Sequence, residues 1–328
     1  PHRNWQRQPK RRLRMGDSSK WAYFRGFKTM TAPLPVTVIG GYLGSGKTTL
    51  VNHLLRNANG LRLAILVNEF GELAIDEDLI EAEDDDIISI AGGCVCCSFG
   101  SDLTGALIDI AKLNPQPDHV LIESSGVAIP SAIVGSVSLL NGFCADGIVI
   151  LADAETIQRS ACDKYMGDTV LRQLADANII VLNKIDLVNK AHLLETKRWL
   201  GQQTNGVRII ESSHGIVAPQ VVLESFLVQK SLGVLHFEAS NLEMMTITLR
   251  EPVDVESLAK KLADDNLGLI RAKGFVTSLT GQKNLIQVVG RRWETSLAPD
   301  STLNGIVCLG FKGVLSRQNI EKIGNVAS

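Results

Sequence analysis

Residues 41–48 read GYLGSGKT, Gly41 to Thr48. They lie between a β-branched run that ends in glycines, Pro35–Ile39 (PVTVI), and a helical stripe over Lys47–Asn57 carried by Leu50, Val51, Leu54 and Leu55. The octapeptide fits G-x-x-x-x-G-K-S/T, and a position between strand and helix is the context that gives the pattern meaning. Glycines let the backbone turn tightly and present N–H groups to phosphate oxygens, while the helix N-terminus adds positive potential. Lys47 places a point charge at the β- and γ-phosphates, and the Thr48 hydroxyl is suited to ligate Mg²⁺. The plainer reading is a glycine-rich turn beside a surface lysine.

Outward from this loop the chain alternates strand and helix signals. Leu63–Val67 (LAILV), Ile87–Ile90 (IISI), Val120–Ile122, Gly147–Leu151 and Ile179–Leu182 are short apolar runs, and Asp102–Leu113 carries a helical stripe through Leu103, Ala106, Leu107 and Ile110. Uniformly apolar strands separated by helices predict an α/β fold, a mainly parallel sheet with helices on both faces. The texture changes near residue 244. Met245–Leu249 (MTITL) alternates, a helix is expected over Val255–Leu262, and Gly274–Leu279 and Leu285–Val289 flank a turn at Gly281. This predicts a smaller α+β C-terminal domain with an antiparallel sheet. The expected organisation is a disordered basic extension over 1–33, a nucleotide domain over 34–230, a linker over 231–243 and the second domain over 244–328. The stretch His214–Glu243 is expected to hold the last helix of the first domain and the connection.

Two further tetrapeptides sit at strand ends. NKID, Asn183 to Asp186, follows Ile179–Leu182. A carboxylate at Asp186 can accept from guanine N1–H and the exocyclic amine, a donor pair that adenine lacks, so the pattern favours GTP over ATP. The Asn183 amide can complement ring acceptors, and the Lys184 stem can pack on the base or the loop. ESSG, Glu123 to Gly126, follows Val120–Ile122. An acid at a strand tip can hold Mg²⁺ through water, and the Gly126 N–H can sense a γ-phosphate. The competing reading is a Ser/Gly turn that caps a helix.

CVCC supplies Cys94, Cys96 and Cys97 after Gly92 and Gly93. Cys94 and Cys96 are spaced to converge on one ion, while Cys97 can point elsewhere. A nearby helix N-terminus would lower the thiol pKa values, and soft thiolates select Zn²⁺, Co²⁺ or Cu⁺ over Mg²⁺. Three cysteines without a fourth fixed ligand suggest an exchangeable position, because closed structural zinc sites have four protein ligands. A redox pair is the alternative, since vicinal thiols oxidise. Cys144, Cys162 and Cys308 are expected to pack as small hydrophobes, and His53 and His119 to be structural.

Composition bounds the rest. The chain has 328 residues, 45% hydrophobic and 21% charged, with mean hydropathy +0.12. These values fit a globular chain of about two domains and exclude a disordered, collagen-like or coiled-coil chain. No run of 18 apolar residues exists in the sequence, so no membrane span is expected. Six cysteines, three of them clustered, fit a reducing compartment, and the cytoplasm is the expected location. Residues 1–28 hold nine Lys/Arg against Asp17 alone, leaving 24 bases and 34 acids in the other 300 residues. An acidic body argues against nucleic acid as a partner. The basic tail reads as upstream translated sequence, with a transit peptide or a nucleic-acid arm as weaker alternatives.

Taken together, GGYLGSGKTTL, VNEFGE (Val67 to Glu72), GGCVCC, IESSG and VLNKIDLV resemble the CobW-type GTPases. These are SIMIBI-class P-loop NTPases related to urease and hydrogenase metal-insertion factors. RAKGFV (Arg271 to Val276) and VVGRRWE (Val288 to Glu294) are similar to that branch's C-terminal domain. The resemblance runs from about residue 35 onward. It implies a GTP hydrolase that binds Zn²⁺ or Co²⁺ and delivers it to a client metalloprotein, with GTP state controlling metal and client affinity. It assigns phosphates to Gly41, Gly44, Ser45, Gly46, Lys47, Thr48 and Thr49, Mg²⁺ to Thr48 and Glu123, and guanine to Asn183, Lys184 and Asp186. Transferred metal goes to Cys94, Cys96 and Cys97, with Glu72 as an oxygen ligand or switch residue. Catalysis is expected from Lys47, Thr48, Glu123 and Gly126. Turnover is expected to be slow, with acceleration by metal, homodimerisation or a client. The chain lacks the histidine-rich stretch of many relatives, which argues against metal storage. The competing function is a metal-binding or thiol-redox regulator that holds nucleotide only as a structural ligand.

Overall fold

The computed structural model describes residues 33–58, 61–67, 87–91, 101–204, 206–223, 242–249, 252–298 and 304–326, all within the unit Pro33–Ser328. Residues 1–32 of the basic extension, Glu72, Cys94, Cys96 and Cys97 lie outside the described residues. Among the described residues, seven strands form the first sheet: β1 (Leu34–Gly41), β2 (Leu63–Val67), β3 (Ile87–Ala91), β4 (His119–Glu123), β5 (Phe143–Asp153), β6 (Ile179–Asn183) and β7 (Arg208–Glu211). Their order is β3-β2-β4-β1-β5-β6-β7, and every pairing is parallel. All seven carboxyl ends therefore share one edge, which is where open α/β sheets bind ligands.

Parallel neighbours need crossovers, and helices supply them. One sheet face (Val36, Val38, Ile122, Ile150, Leu182) packs against α2 (Ser101–Lys112), α3 (Pro130–Ser138), α5 (Gly167–Asp176) and α6 (Lys190–Gln203) through Leu107, Val137, Leu174 and Leu200. The short α4 (Ile157–Ala161) precedes α5. The other face (Ile39, Ile65, Leu121, Leu151, Val181) packs against Leu50, Val51 and Leu54 of α1 (Lys47–Arg56) and Val221 and Val222 of α7 (Pro219–Val222). Each fully buried aliphatic side chain contributes about 1.5–3 kcal/mol relative to exposure.

The second sheet is antiparallel, with strands β8 (Leu242–Ile247), β9 (Leu269–Thr277), β10 (Lys283–Val289), β11 (Arg292–Leu297) and β12 (Gly305–Phe311) in the order β11-β10-β9-β12-β8. Its own core joins Ala272, Val276, Ile286 and Ile306 to Leu258 and Leu262 of α8 (Val255–Leu262) and Ile320 of α9 (Arg317–Val326). Asp254 caps α8 by accepting from Ser257 N at 3.1 Å. Leu242, Ile270, Val289 and Leu309 of this sheet enter the core around α1, so the second sheet covers part of the first sheet's α1 face. β8 starts at Leu242, two residues inside the stretch read as a linker.

Cys308 is fully buried, as expected for a packing thiol. Cys162 departs from that expectation: it is exposed, at the C-cap of the five-residue α4, where a single helical turn leaves no interior to enter.

Candidate functional site

The phosphate loop leaves β1 at Gly41 and enters α1 at Lys47. Gly46 has φ +99°, and a Cβ there would lie 2.5 Å from Asn183 Nδ2, so both the left-handed backbone and the close approach require glycine. Leu50 N–H donates to Gly46 O at 3.0 Å and closes the first turn. No side chain caps α1, and its first turn carries no acid; such a terminus favours an anion. Lys47 is buried to 9% exposure and donates to Gly41 O at 3.1 Å. The backbone thereby holds its ammonium over the loop.

The Thr48 hydroxyl donates to Glu123 Oε1 at 2.8 Å. The two residues come from α1 and from the tip of β4, and β4 is set by the register Ile39↔Glu123 and Val67↔Glu123. Two hard oxygen donors converging beside a phosphate cradle fit Mg²⁺. Beyond Glu123 the chain turns across the phosphate loop. Ser124 N–H donates to Ile39 O at 2.9 Å, and Ala128 N–H to Ser125 O at 3.1 Å. Gly126 approaches so closely that a Cβ would lie 2.9 Å from Leu43 N.

In the NKID segment both ends of the Asn183 amide meet backbone: Nδ2 donates to Ser45 O at 2.9 Å, and Oδ1 accepts from Gly215 N–H at 3.0 Å. Asn183 thus braces the phosphate loop against the loop after β7. Lys184 has φ +60°, and its Nζ pairs with Asp153 Oδ2 at 2.8 Å, at the tip of β5. Asp186 is exposed, with Oδ2 3.9 Å from His214 Nε2. The structure therefore gathers Gly41, Gly44, Ser45, Gly46, Lys47, Thr48, Thr49, Glu123, Gly126, Asn183, Lys184 and Asp186 at one sheet edge.

Sequence reading missed three contributors at this edge: Asp153, the Ser212–Ile216 turn and Gln173. Ser212 Oγ donates to Ile216 O at 3.0 Å, and Ile185 N–H donates to Ser212 O at 3.3 Å. A small-residue turn with Gly215 directly after a strand was the available signal. Gln173 interrupts an apolar stripe on α5, which was the other.

Among the described residues, no group of three or more His, Cys, Asp or Glu is arranged to hold a metal ion. Among the described residues, three strongly perturbed groups, His119, Asp146 and Cys144, lie at the contact between the two sheets. Burial holds His119 down at about 4. Burial pushes the Asp146 carboxyl up, but Arg271, Lys273 and His119 together outweigh it and hold it below the carboxylate range. Burial pushes the Cys144 thiol up to about 11, although nearby Lys273 opposes this. Ion-pair networks in cores produce such shifts as active sites do, and this one is 0–11% exposed at Asp146, Arg271 and Lys273. Among the described residues no helix is long and apolar enough to cross a membrane.

Residues 35–211, more than half of the chain, match the family model "CobW/HypB/UreG, nucleotide-binding domain". The zinc chaperone CobW of Sinorhizobium sp is 31% identical over 219 residues, covering 58% of this chain and 62% of that protein. The alignment thus spans about three fifths of that relative's length. The zinc chaperone YjiA of Escherichia coli K12 is 28% identical over 309 residues, covering 85% of this chain and 95% of that protein. A solved structure of a Zn(II)-bound triple mutant of the YjiA GTPase overlays 90% of this chain and 99% of its own, at 21% identity and a TM-score of 0.45.

Proposed function

The chain belongs to the CobW/HypB/UreG nucleotide-binding family, and from that premise we propose that it is a GTP hydrolase that carries Zn²⁺ or Co²⁺ to a client metalloprotein. The observation that carries the reading is a register. Ala91, the last residue of β3, pairs with Val67, which pairs with Glu123. Adjacent strands lie ≈ 4.8 Å apart, so Ala91 ends about two strand spacings from the carboxylate that meets Thr48. Cys94 follows Ala91 by three residues and Glu72 follows Val67 by five. Only a few residues of chain thus separate either metal-binding candidate from the strand ends beside Glu123, which supports the reading.

The chain's own groups divide the chemistry. The loop amides and Lys47 would hold the phosphates, Thr48 and Glu123 would hold Mg²⁺, and the Gly126 backbone would meet the γ-phosphate. Mg²⁺, when bound, supplies neutralisation of charge on the β- and γ-oxygens. The Asp186 carboxylate reads guanine. Cys94, Cys96 and Cys97 take the transferred metal, with Glu72 as oxygen ligand. Loss of the γ-phosphate removes the contact at Gly126, and metal and client affinity fall with it. The names of the zinc chaperones CobW and YjiA support zinc as cargo.

The test is Zn²⁺ affinity and GTP turnover of the full chain, with and without a nonhydrolysable GTP analogue, compared with the Cys94→Ser, Cys96→Ser, Cys97→Ser triple variant. Tighter Zn²⁺ binding with the analogue, lost in the triple variant, is the expected result. Zn²⁺ affinity that ignores both nucleotide and the cysteines would overturn the reading.

A further inference from the structure

Gln173 is 1% exposed, on the buried stripe of α5 formed by Gly167, Val170 and Leu174. Its Nε2 donates to Gly126 O at 3.1 Å and to Ala128 O at 2.8 Å. Both partners are carbonyl oxygens, so only the NH₂ end of the amide can serve them, and the orientation of the amide is fixed. The opposite side of this turn is fixed too, by Leu43 of the phosphate loop against Gly126. A peptide unit is planar and trans, so aiming Gly126 O at Gln173 aims Val127 N–H away from it.

The helix that carries Gln173 is anchored at its far end. Asp176 Oδ2 accepts from Ser131 N–H of α3 at 2.9 Å. From the second sheet, Arg292 donates to Asp176 O at 2.8 Å and to Ala175 O at 2.6 Å, which satisfies carbonyls left without helical partners at the C-terminus of α5. A single side chain therefore ties the turn after Glu123 to a helix braced by both sheets.

We propose that Gln173 is a positioning residue for γ-phosphate recognition: it holds the 126–128 backbone against the phosphate loop and thereby sets the preference for GTP over GDP, without touching nucleotide itself. This rests on the GTPase reading above. A GDP-bound site uses the phosphate loop and Asp186, which Gln173 does not touch. A GTP-bound site also uses the turn that Gln173 holds.

The experiment measures GDP and nonhydrolysable GTP-analogue affinities, kcat and KM for the full chain and for Gln173→Met and Gln173→Glu. For Gln173→Met, GDP affinity is expected to stay within about twofold, while analogue affinity and kcat fall about tenfold or more. Gln173→Glu restores one donor only when its carboxyl is protonated. Its turnover relative to wild type therefore rises as pH falls, while the ratio for Gln173→Met stays flat. If Gln173→Met unfolds the chain, that pH-dependent rescue in Gln173→Glu carries the test. Equal losses of GDP and analogue affinity would show a merely structural role, and unchanged values in both variants would likewise overturn the inference while leaving the GTPase reading intact. A wild-type chain that binds neither nucleotide would overturn both.

Discussion

Arg271 Nη2 meets Asp146 Oδ2 at 3.0 Å, and their side chains are 4% and 0% exposed. The same guanidinium donates to Asp146 O at 2.8 Å and to the Val221 and Val222 carbonyls at 3.1 and 3.2 Å. The other carboxylate oxygen accepts from Lys273 Nζ at 3.3 Å and Gln287 Nε2 at 2.9 Å. One acid on β5 is thus set against two cations on β9, and the second sheet is locked onto the first through groups that are costly to bury alone.

That arrangement predicts the effect of removing the acid. Asp146→Asn keeps the shape but removes the carboxylate charge that faces both buried cations, Arg271 and Lys273. Breaking a buried pair from one side costs about 3–5 kcal/mol. The urea midpoint of the full chain should fall accordingly, whereas Asp109→Asn, at an exposed pair on α2, should leave it nearly unchanged. Equal midpoints for the two variants would show that the buried charges are compensated in some other way.

His119 sets a pH dependence. Its ring Nε2 lies 2.9 Å from Thr37 Oγ1, and burial holds its pKa at about 4, below the ordinary histidine value of 6.5. Between these two values the unfolded chain binds a proton that the folded chain does not, so stability rises with pH. The contribution is complete above about pH 6.5 and is lost as pH falls toward 4, a change of roughly 3 kcal/mol at most. Asp146, held below its ordinary range, adds stability that is present above the unfolded carboxylate value and is lost at still lower pH. Urea midpoints measured from pH 4.5 to 7 should therefore slope upward, and His119→Gln should flatten the slope. A wild-type profile that is flat across this window would contradict the account.

The phosphate edge was legible in the sequence because its signals are local. A glycine pattern between a strand and a helix needs no distant partner to be read, and Leu63–Val67 and Val255–Leu262 have the bounds their periodicity implies. The lock between the sheets was not legible. Arg271 and Lys273 alternate along β9 as they would on a solvated face, and Asp146 stands 125 residues before Arg271. The same two charges concealed the first half of β9, which starts at Leu269 rather than Gly274. α3 was hidden for another reason: PSAIVGSVS lies within a long apolar stretch, where a buried helix and a buried strand look alike. The backbone partners of Asn183, Ser45 O and Gly215 N, were not legible either, because only the closed fold brings them together.

Thr48 and Glu123 yield a prediction about metal dependence. Their oxygens lie 2.8 Å apart at the loop, so removing either should weaken Mg²⁺ binding. Thr48→Ala and Glu123→Gln should each lower kcat about 10²-fold or more. GDP affinity measured without Mg²⁺ should change little, since the loop backbone and Lys47 remain. A Mg²⁺ titration of turnover should shift to higher concentration in both variants. Turnover that keeps its Mg²⁺ midpoint in both would place the ion on other ligands.

Asp186 yields a prediction about the base. Its carboxylate is exposed at the mouth of the site, on the segment that Lys184 and Asn183 fix to β5 and the phosphate loop. An acceptor-only group suits guanine, which presents N1–H and an amine side by side. Asp186→Asn replaces one acceptor with an NH₂ donor, which opposes the guanine amine and suits the carbonyl that xanthine carries at the same ring position. A site built to pair donors rejects the mismatched base strongly. GDP affinity should fall about 10²-fold or more in Asp186→Asn, XDP affinity should rise, and ADP should bind neither form well. Competition of the three diphosphates against a fluorescent guanine nucleotide reads all of this in one titration series. A variant that still prefers GDP to XDP would show that another group reads the base, and the turn after β7 at Ser213 and the exposed His214 would then be the segment to alter next.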